Sequence, residues 1–437
     1  MSIIDHAGIS ASVISWQYPH CQFPSSRHFF INIQGGCADA GRVAVKRCRD
    51  RWSGAGVAPR GRSTLTEILT MSWSLFVGHR LRHELECAVD VVGRASRMAR
   101  EIQRHYCDAG ASTNQATTVA KADASPVTIA DLAVQALILG ELHAVFPQDR
   151  FVAEETSGSI RDAAMEHGIR AWLAQHARHG VEERVRASID LGADAGGAQG
   201  RIWVLDPVDG TKGFLRNQQF CIALALLVDG SAELGVLGCP NLSAAQEAER
   251  VVSTYTQGTA DEKCLTIVNG PDGCVFFAAR GAGAFMTSLV QDPGQALPRQ
   301  IHVNGNADPS WAIMAESVER GHSSHTLTGK IIRILGIRQR LGVDSQCKYG
   351  LLSRGEACVF LRFPRVDYVE NIWDHAAGAV VLKEAGGLVT DAFGNELDFS
   401  RGRKLLNVRG IVATNGHMHP AVLAAVRHVL AEEEACG

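Results

Sequence analysis

The 437-residue chain is 46% hydrophobic and 20% charged, with a formal charge of −3, so it has the length and composition of a soluble protein of up to three domains. That balance argues against a nucleic-acid coat or a polybasic membrane surface, and no run approaches the roughly 18 apolar residues of a membrane span. The twelve cysteines are scattered without a CxxC pair or zinc spacing, which implies reduced, buried thiols of an intracellular protein. Cys221 and Cys239 read as core filler.

Residues 1 to about 70 mix Gly, Ser, Arg and Cys without helical or strand periodicity. From Arg42 to Arg62 basic residues dominate, with Asp50 the sole acid. An organelle-targeting stretch has this bias, but Asp5 and the lack of an amphipathic start speak against it. An extension without chemistry is the preferred reading, and a chain start at Met71 is the alternative. From Leu81 to Tyr106 the residues Leu85, Val89, Val92, Ala99, Ile102 and Tyr106 share one helical face, which predicts a core-packing helix.

Thr128 to Asp131 fits a capping box, and Val134, Leu137, Ile138, Leu142 and Val145 form the apolar face of the helix it opens, which Pro147 stops. A short strand at Phe151–Ala153 then delivers Glu154 and Glu155. Taken alone, Asp131 is an N3 capping carboxylate and the Glu pair a solvated loop. Residues 159–200 read as a polar connection with one helical stretch, Ala163 to Arg178, and a glycine-rich close.

The apolar run Ile202–Leu205 predicts a buried strand that stops at Asp206, because Pro207 cannot donate to a sheet and Gly210 permits a sharp turn. Asp206 and Asp209 thus share a strand end, followed by Thr211 and Lys212. Clustered carboxylate and carbonyl oxygens suit a hard divalent cation such as Mg²⁺; an acidic β-turn is the plainer reading. Downstream, Phe220–Val228 and Glu233–Cys239 predict a hairpin about Asp229-Gly230. Ser243–Gly273 shows little periodicity, and Phe276–Phe285 reads as strand and turn. A strand is expected at Cys358–Phe363, a helix from Trp373-Asp374 to Gly386-Gly387, and a terminal helix from His419-Pro420 with Leu423, Val426 and Leu430 inward.

The stretch DPVDGTKGF, Asp206 to Phe214, resembles the signature of the lithium-sensitive, magnesium-dependent phosphatases that include inositol monophosphatase and fructose-1,6-bisphosphatase. Its TKGF resembles the 3'(2'),5'-bisphosphate nucleotidases within that superfamily. Similar motifs stand at Lys121–Asp131, Glu154–Gly158, Gly321–His325, Asp344–Tyr349 and Trp373–Gly378, so the resemblance spans roughly residues 80 to 430. Asn217-Gln218-Gln219 and the segment after Leu242 depart from the pattern without touching a proposed ligand.

The resemblance implies a layered αβαβα sandwich over residues 71–430, with the metal site in about 80–240 and the nucleotide pocket in about 241–430. By the same resemblance Glu154, Asp206, Val208, Asp209 and Asp374 would hold two or three Mg²⁺, and Li⁺ would inhibit. Asp131 and Thr211 would orient or deprotonate the attacking water. Gly210, Thr211, His322, Ser345, Lys348 and Arg362 would bind substrate, with the last four among the contacts to the nucleotide and its 5'-phosphate. The implied reaction converts adenosine 3',5'-bisphosphate to AMP and phosphate, with the sulfated analogue as a second substrate and a role in sulfate assimilation and salt tolerance. Alternatives are an inositol-phosphate phosphatase of the same fold and a non-catalytic nucleotide sensor. The expected partner is the small-molecule substrate alone, without nucleic acid or membrane, for a monomer in the cytoplasm.

Overall fold

The computed structural model describes residues 76–108, 118–120, 126–244, 252–255, 263–289, 298–318, 325–364, 368–406 and 408–436, together with two short strands near the N-terminus. Two units divide the chain, Met1–Arg62 and Ser63–Gly437. In the first, β1 (Ile3–Ile4) pairs antiparallel with β2 (Ser10–Ala11). The rest of the expectation for residues 1–70 lies outside the described residues, as do residues 121–125 and His322.

In the second unit β3 (Thr118–Ala120) and β4 (Pro126–Thr128) form a small antiparallel ribbon. The strands β5 (Arg150–Ala153), β6 (Arg201–Asp209), β7 (Cys221–Val228), β8 (Ser231–Cys239), β9 (Val252–Tyr255), β10 (Lys263–Ile267), β11 (Cys274–Ala279), β12 (Ala284–Ser288), β13 (Arg299–Ile301), β14 (Ile313–Glu316), β15 (Gln339–Gly342), β16 (Val359–Arg362), β17 (Leu388–Asp391) and β18 (Ile411–Thr414) build two seven-stranded sheets. Their orders are β13-β12-β11-β8-β7-β6-β5 and β17-β18-β16-β14-β15-β10-β9.

Strand side chains alternate between faces, and here both faces are covered. Trp203 and Leu205 of β6 point with Leu224 and Val236 toward the helices Arg82–Asp108 and Ile129–Val145, while Ile202 and Val204 face the opposite way. There they meet the helices Cys347–Ser353 and Ala376–Glu384 and the inner face of the second sheet, through Ala315, Leu341, Phe360 and Ala413. The outer face of that sheet, with Met314, Val359 and Val412, is closed by the helices His325–Leu335 and His419–Cys436. The result is the αβαβα layering expected. Burial on both faces explains why β6, β7 and β11 are nearly continuous apolar runs rather than alternating ones. Among the described residues no helix is long and apolar enough to cross a membrane.

Four local expectations need correction. β6 does not stop at Asp206 but runs to Asp209. Asp206 pairs with Ala223 and Asp209 with Cys221, so one extra residue bulges between them, and a bulge tolerates the N–H that Pro207 lacks. The segment after Ser243 contains two strands, β9 and β10, at the edge of the second sheet. A second short helix, Val185–Asp190, follows Ala163–His176 in the connection read as holding one. Finally, the helix Ile129–Val145 is buried on every side from Ile129 to Leu142 rather than along one stripe, and Val145 is exposed.

Candidate active site

β5 and β6 are parallel neighbours with Ala153 opposite Leu205, so Glu154, just past the end of β5, comes beside Asp206 within β6. Asp209 follows at the far side of the bulge, and Gly210 turns the chain with φ +88 into the short helix Thr211–Leu215. A Cβ on Gly210 would stand 3.1 Å from the Ser345 Cβ, so this turn presses directly on the segment Asp344–Lys348. Thr211 Oγ1 donates to the buried Val208 carbonyl at 3.2 Å. The Thr211 helix also packs on β4, which ends at Thr128.

Asp131 is fully buried at N3 of its helix. Its Oδ2 accepts from the Thr128 amide at 2.8 Å and from the Thr128 hydroxyl. One turn further on the same helix, Gln135 Nε2 donates to the Glu155 carbonyl at 2.8 Å, and Gln135 Oε1 accepts from the Glu155 amide at 3.0 Å. Gln135 thereby ties the glutamate-bearing segment to the helix that carries Asp131.

Asp374 ends a one-turn 3-10 helix, Ile372–Asp374, just before the helix Ala376–Glu384. Its Oδ2 accepts from the Asn371 amide at 2.8 Å and the Asn371 side-chain amide at 3.2 Å, a second capping box. Gln346 joins this turn to Asp209. Its amide donates to Asp209 Oδ2 at 2.6 Å, its Nε2 donates to the Trp373 carbonyl at 2.8 Å, and its Oε1 accepts from the Gly378 amide at 3.1 Å.

Burial pushes the Asp209 carboxyl up to about 7; the nearby Lys348 ammonium works against that rise, and Asp374 adds to it. Burial likewise pushes Asp374 up to about 7, with Glu370 and Glu154 raising it and Arg362 opposing. Clustered carboxylate and carbonyl oxygens of this charge and number fit a hard divalent ion. The donor set therefore suits Mg²⁺.

Ser345 adopts φ +69, a left-handed conformation rare outside glycine, and its hydroxyl accepts from the Cys347 amide at 3.3 Å at the start of the helix Cys347–Ser353. Lys348 is 3% exposed. Its ammonium donates to Ser317 Oγ at 3.1 Å and to the Val343 carbonyl at 3.2 Å, and it lies 5.1 Å from the Phe360 ring centroid. Burial lowers its pKa. Arg362 is the last residue of β16. Its Nε donates to Glu370 Oε1 at 2.6 Å in a buried ion pair. Burial alone would raise the Glu370 carboxyl, but Arg362 and His375 hold it well below the usual range. His375 Nδ1 in turn lies 2.8 Å from the Tyr349 hydroxyl.

Sequence reading missed Gln135, Gln346, Glu370, His375 and Arg403. Arg403 Nη1 donates to the carbonyls of Gly192 and Asp194 at 2.9 and 3.0 Å, and Nη2 donates to the Ala153 carbonyl at 2.5 Å. Its guanidinium also stacks 4.8 Å from the Trp373 ring centroid. It therefore clamps the end of β5, one residue before Glu154, to the turn one residue before Asp374.

Carboxylates at neighbouring strands, with a buried lysine near Asp209 and a strained serine turn, make a donor set suited to a cation and an anionic group. The class of protein follows from what matches it. A model of the inositol monophosphatase family covers residues 84–431, and the chain belongs to that family, a family of phosphatases. The 3'(2'),5'-bisphosphate nucleotidase of Oryza sativa is 39% identical over 370 residues, covering 82% of this chain and 97% of its own. The 3'(2'),5'-bisphosphate nucleotidase 1 of Candida albicans is 37% identical, covering 80% and 96%. Among solved structures, the Thermotoga maritima IMPase is 21% identical with a TM-score of 0.50, covering 80% of this chain and 99% of its own, a likeness of fold.

Proposed function

We propose that this chain is a magnesium-dependent 3'(2'),5'-bisphosphate nucleotidase that hydrolyses the 3'-phosphate of adenosine 3',5'-bisphosphate, giving AMP and phosphate. The observation that carries the proposal is the identity to relatives of that name over 96% and 97% of their lengths. The sulfated analogue of the bisphosphate would serve as a second substrate.

Glu154, Asp206, Asp209, Asp374 and the Val208 carbonyl would hold two or three Mg²⁺. Bound Mg²⁺ would offset the phosphate's charge and lower the pKa of a water molecule. Asp131, fixed by its capping bonds, and Thr211, on the neighbouring helix, would together orient or deprotonate the attacking water. Catalysis then rests on positioning and electrostatics rather than on a covalent intermediate. Gly210 and Ser345 line the contact between the two halves of the site, and Lys348 supplies positive charge for the 5'-phosphate. By the sequence resemblance His322, outside the described residues, would also bind the nucleotide. Arg362, its Nε held by Glu370, would offer its remaining guanidinium donors to the 5'-phosphate.

Phosphate release from adenosine 3',5'-bisphosphate should require Mg²⁺, cease with a chelator and fall with Li⁺ more than with equal K⁺. Asp209→Asn should abolish turnover in a protein that remains folded by circular dichroism. Full activity of that variant in excess chelator would defeat the proposal.

A further inference from the structure

Behind the carboxylate site three cysteine thiols meet. Cys221 opens β7, Cys239 ends β8, and Cys347 opens the helix Cys347–Ser353. All three are fully buried, and their sulfurs lie within 4.8 Å of one another, with Cys221 Sγ 3.8 Å from Cys239 Sγ. Cys274 stands directly across the β8–β11 pairing from Cys239. We propose that Cys221, Cys239 and Cys347 form a binding site for a soft monovalent cation, copper(I), distinct from the carboxylate site.

The spacing supports this. Metal–thiolate bonds of about 2.3 Å, the length for zinc, place three trigonal sulfurs about 4 Å apart, so the thiols need little movement to share an ion. Thiolate donors select soft ions, while Mg²⁺ prefers the oxygens next door. Zinc favours four ligands in a tetrahedron, whereas the cluster offers three, a number that copper(I) accepts. The surroundings are dry and apolar, including Leu237, Phe276 and Ala376, which shields copper(I) from water and oxidants. Each thiol that coordinates as thiolate passes its proton to the buffer. The copper keeps its oxidation state and no electron moves.

The cluster is also coupled to the carboxylates. Cys221 is the direct pairing partner of Asp209, and Cys347 follows Gln346, whose amide holds Asp209 Oδ2. Ligation turns these thiols into charged thiolates directly behind both supports of Asp209, so copper(I) is expected to inhibit. This second consequence rests on the phosphatase reading; the binding itself does not.

The test incubates the full-length, reduced chain anaerobically with copper(I) bicinchoninate, then measures copper retained after gel filtration and the ultraviolet sulfur-to-copper absorption. Wild type should retain one equivalent more than Cys239→Ala and Cys221→Ala, whereas Cys358→Ala, altered at a buried thiol of another core cluster, should match wild type. Two cluster variants guard against one failing to fold, which circular dichroism reports. Phosphate release should fall with copper loading in wild type and resist it in Cys239→Ala. Equal copper retention by wild type and both cluster variants, or none by wild type, would overturn the site. Retention without inhibition would overturn only the coupling to Asp209.

Discussion

Asp374 and Asp209 show what single buried charges impose on this molecule. Both carboxyls are pushed up to about 7 in the folded chain, against an ordinary value of 3.8. A folded pKa above the unfolded one stabilises the protein fully below about pH 3.8, and that contribution is lost as pH rises through about 7. Glu370 is shifted the other way, so its contribution is present above its ordinary pKa of 4.5 and is lost as pH falls. Metal-free wild type should therefore lose melting temperature relative to Asp374→Asn as pH rises from about 5 to 8, and saturating Mg²⁺ should reverse the order. Comparing the two proteins cancels the histidines they share. A gap between their melting curves that is constant with pH would show that Asp374 carries no such strain. Lys348 gives the second test at this scale. A hydrogen bond to a charged group is worth about 1.5–3 kcal/mol, so Lys348→Ala should raise KM for adenosine 3',5'-bisphosphate about ten- to a hundredfold. A substrate without the 5'-phosphate should barely respond. Equal losses on both substrates would remove Lys348 from 5'-phosphate recognition.

Elements meet at the site through residues that local spacing does not reveal. Arg403 joins β5 to the Trp373 turn, and Gln346 joins Asp209 to the same turn, although 137 residues separate Gln346 from Asp209. Residues that orient metal ligands typically change affinity about ten- to a hundredfold when replaced. Arg403→Lys keeps the charge but not the planar fork that reaches three carbonyls. It should weaken Mg²⁺ binding, read by calorimetric titration, by about that factor, while kcat at saturating Mg²⁺ is largely kept. Unchanged Mg²⁺ affinity would make Arg403 a mere packing residue. The central strands β6, β7 and β8 of the first sheet were legible because burial on both faces leaves long apolar runs such as Cys221–Val228. The capping function of Asp131 followed from local sequence as well, and Asp374 stands where a helix start was expected. The end of β6 was misread because Pro207 is a strand breaker only in a regular ladder, and here it sits in a bulge. β9 and β10 escaped notice because outlying strands of a sheet need fewer apolar residues, and Val252–Tyr255 sits among polar neighbours. The ion pair of Arg362 with Glu370 was invisible for another reason: an arginine in a strand does not show which carboxylate it pairs with.

At the scale of the whole molecule, the family match begins at residue 84, and contacts divide the chain at Arg62. Deleting residues 1–62 should leave kcat/KM and the melting transition of the remainder unchanged. An insoluble or inactive product would show that the N-terminal unit contributes to the working protein. The central claim concerns which phosphate ester the site turns over, since family membership alone admits inositol phosphates as well. The most direct measurement is kcat/KM for adenosine 3',5'-bisphosphate and inositol 1-phosphate, side by side in saturating Mg²⁺, with Asp206→Ala as the blank. A bisphosphate nucleotidase should favour the nucleotide by at least the factor of about ten that one charged contact supplies, and Asp206→Ala should turn over neither. Equal or better use of inositol 1-phosphate would contradict the assignment.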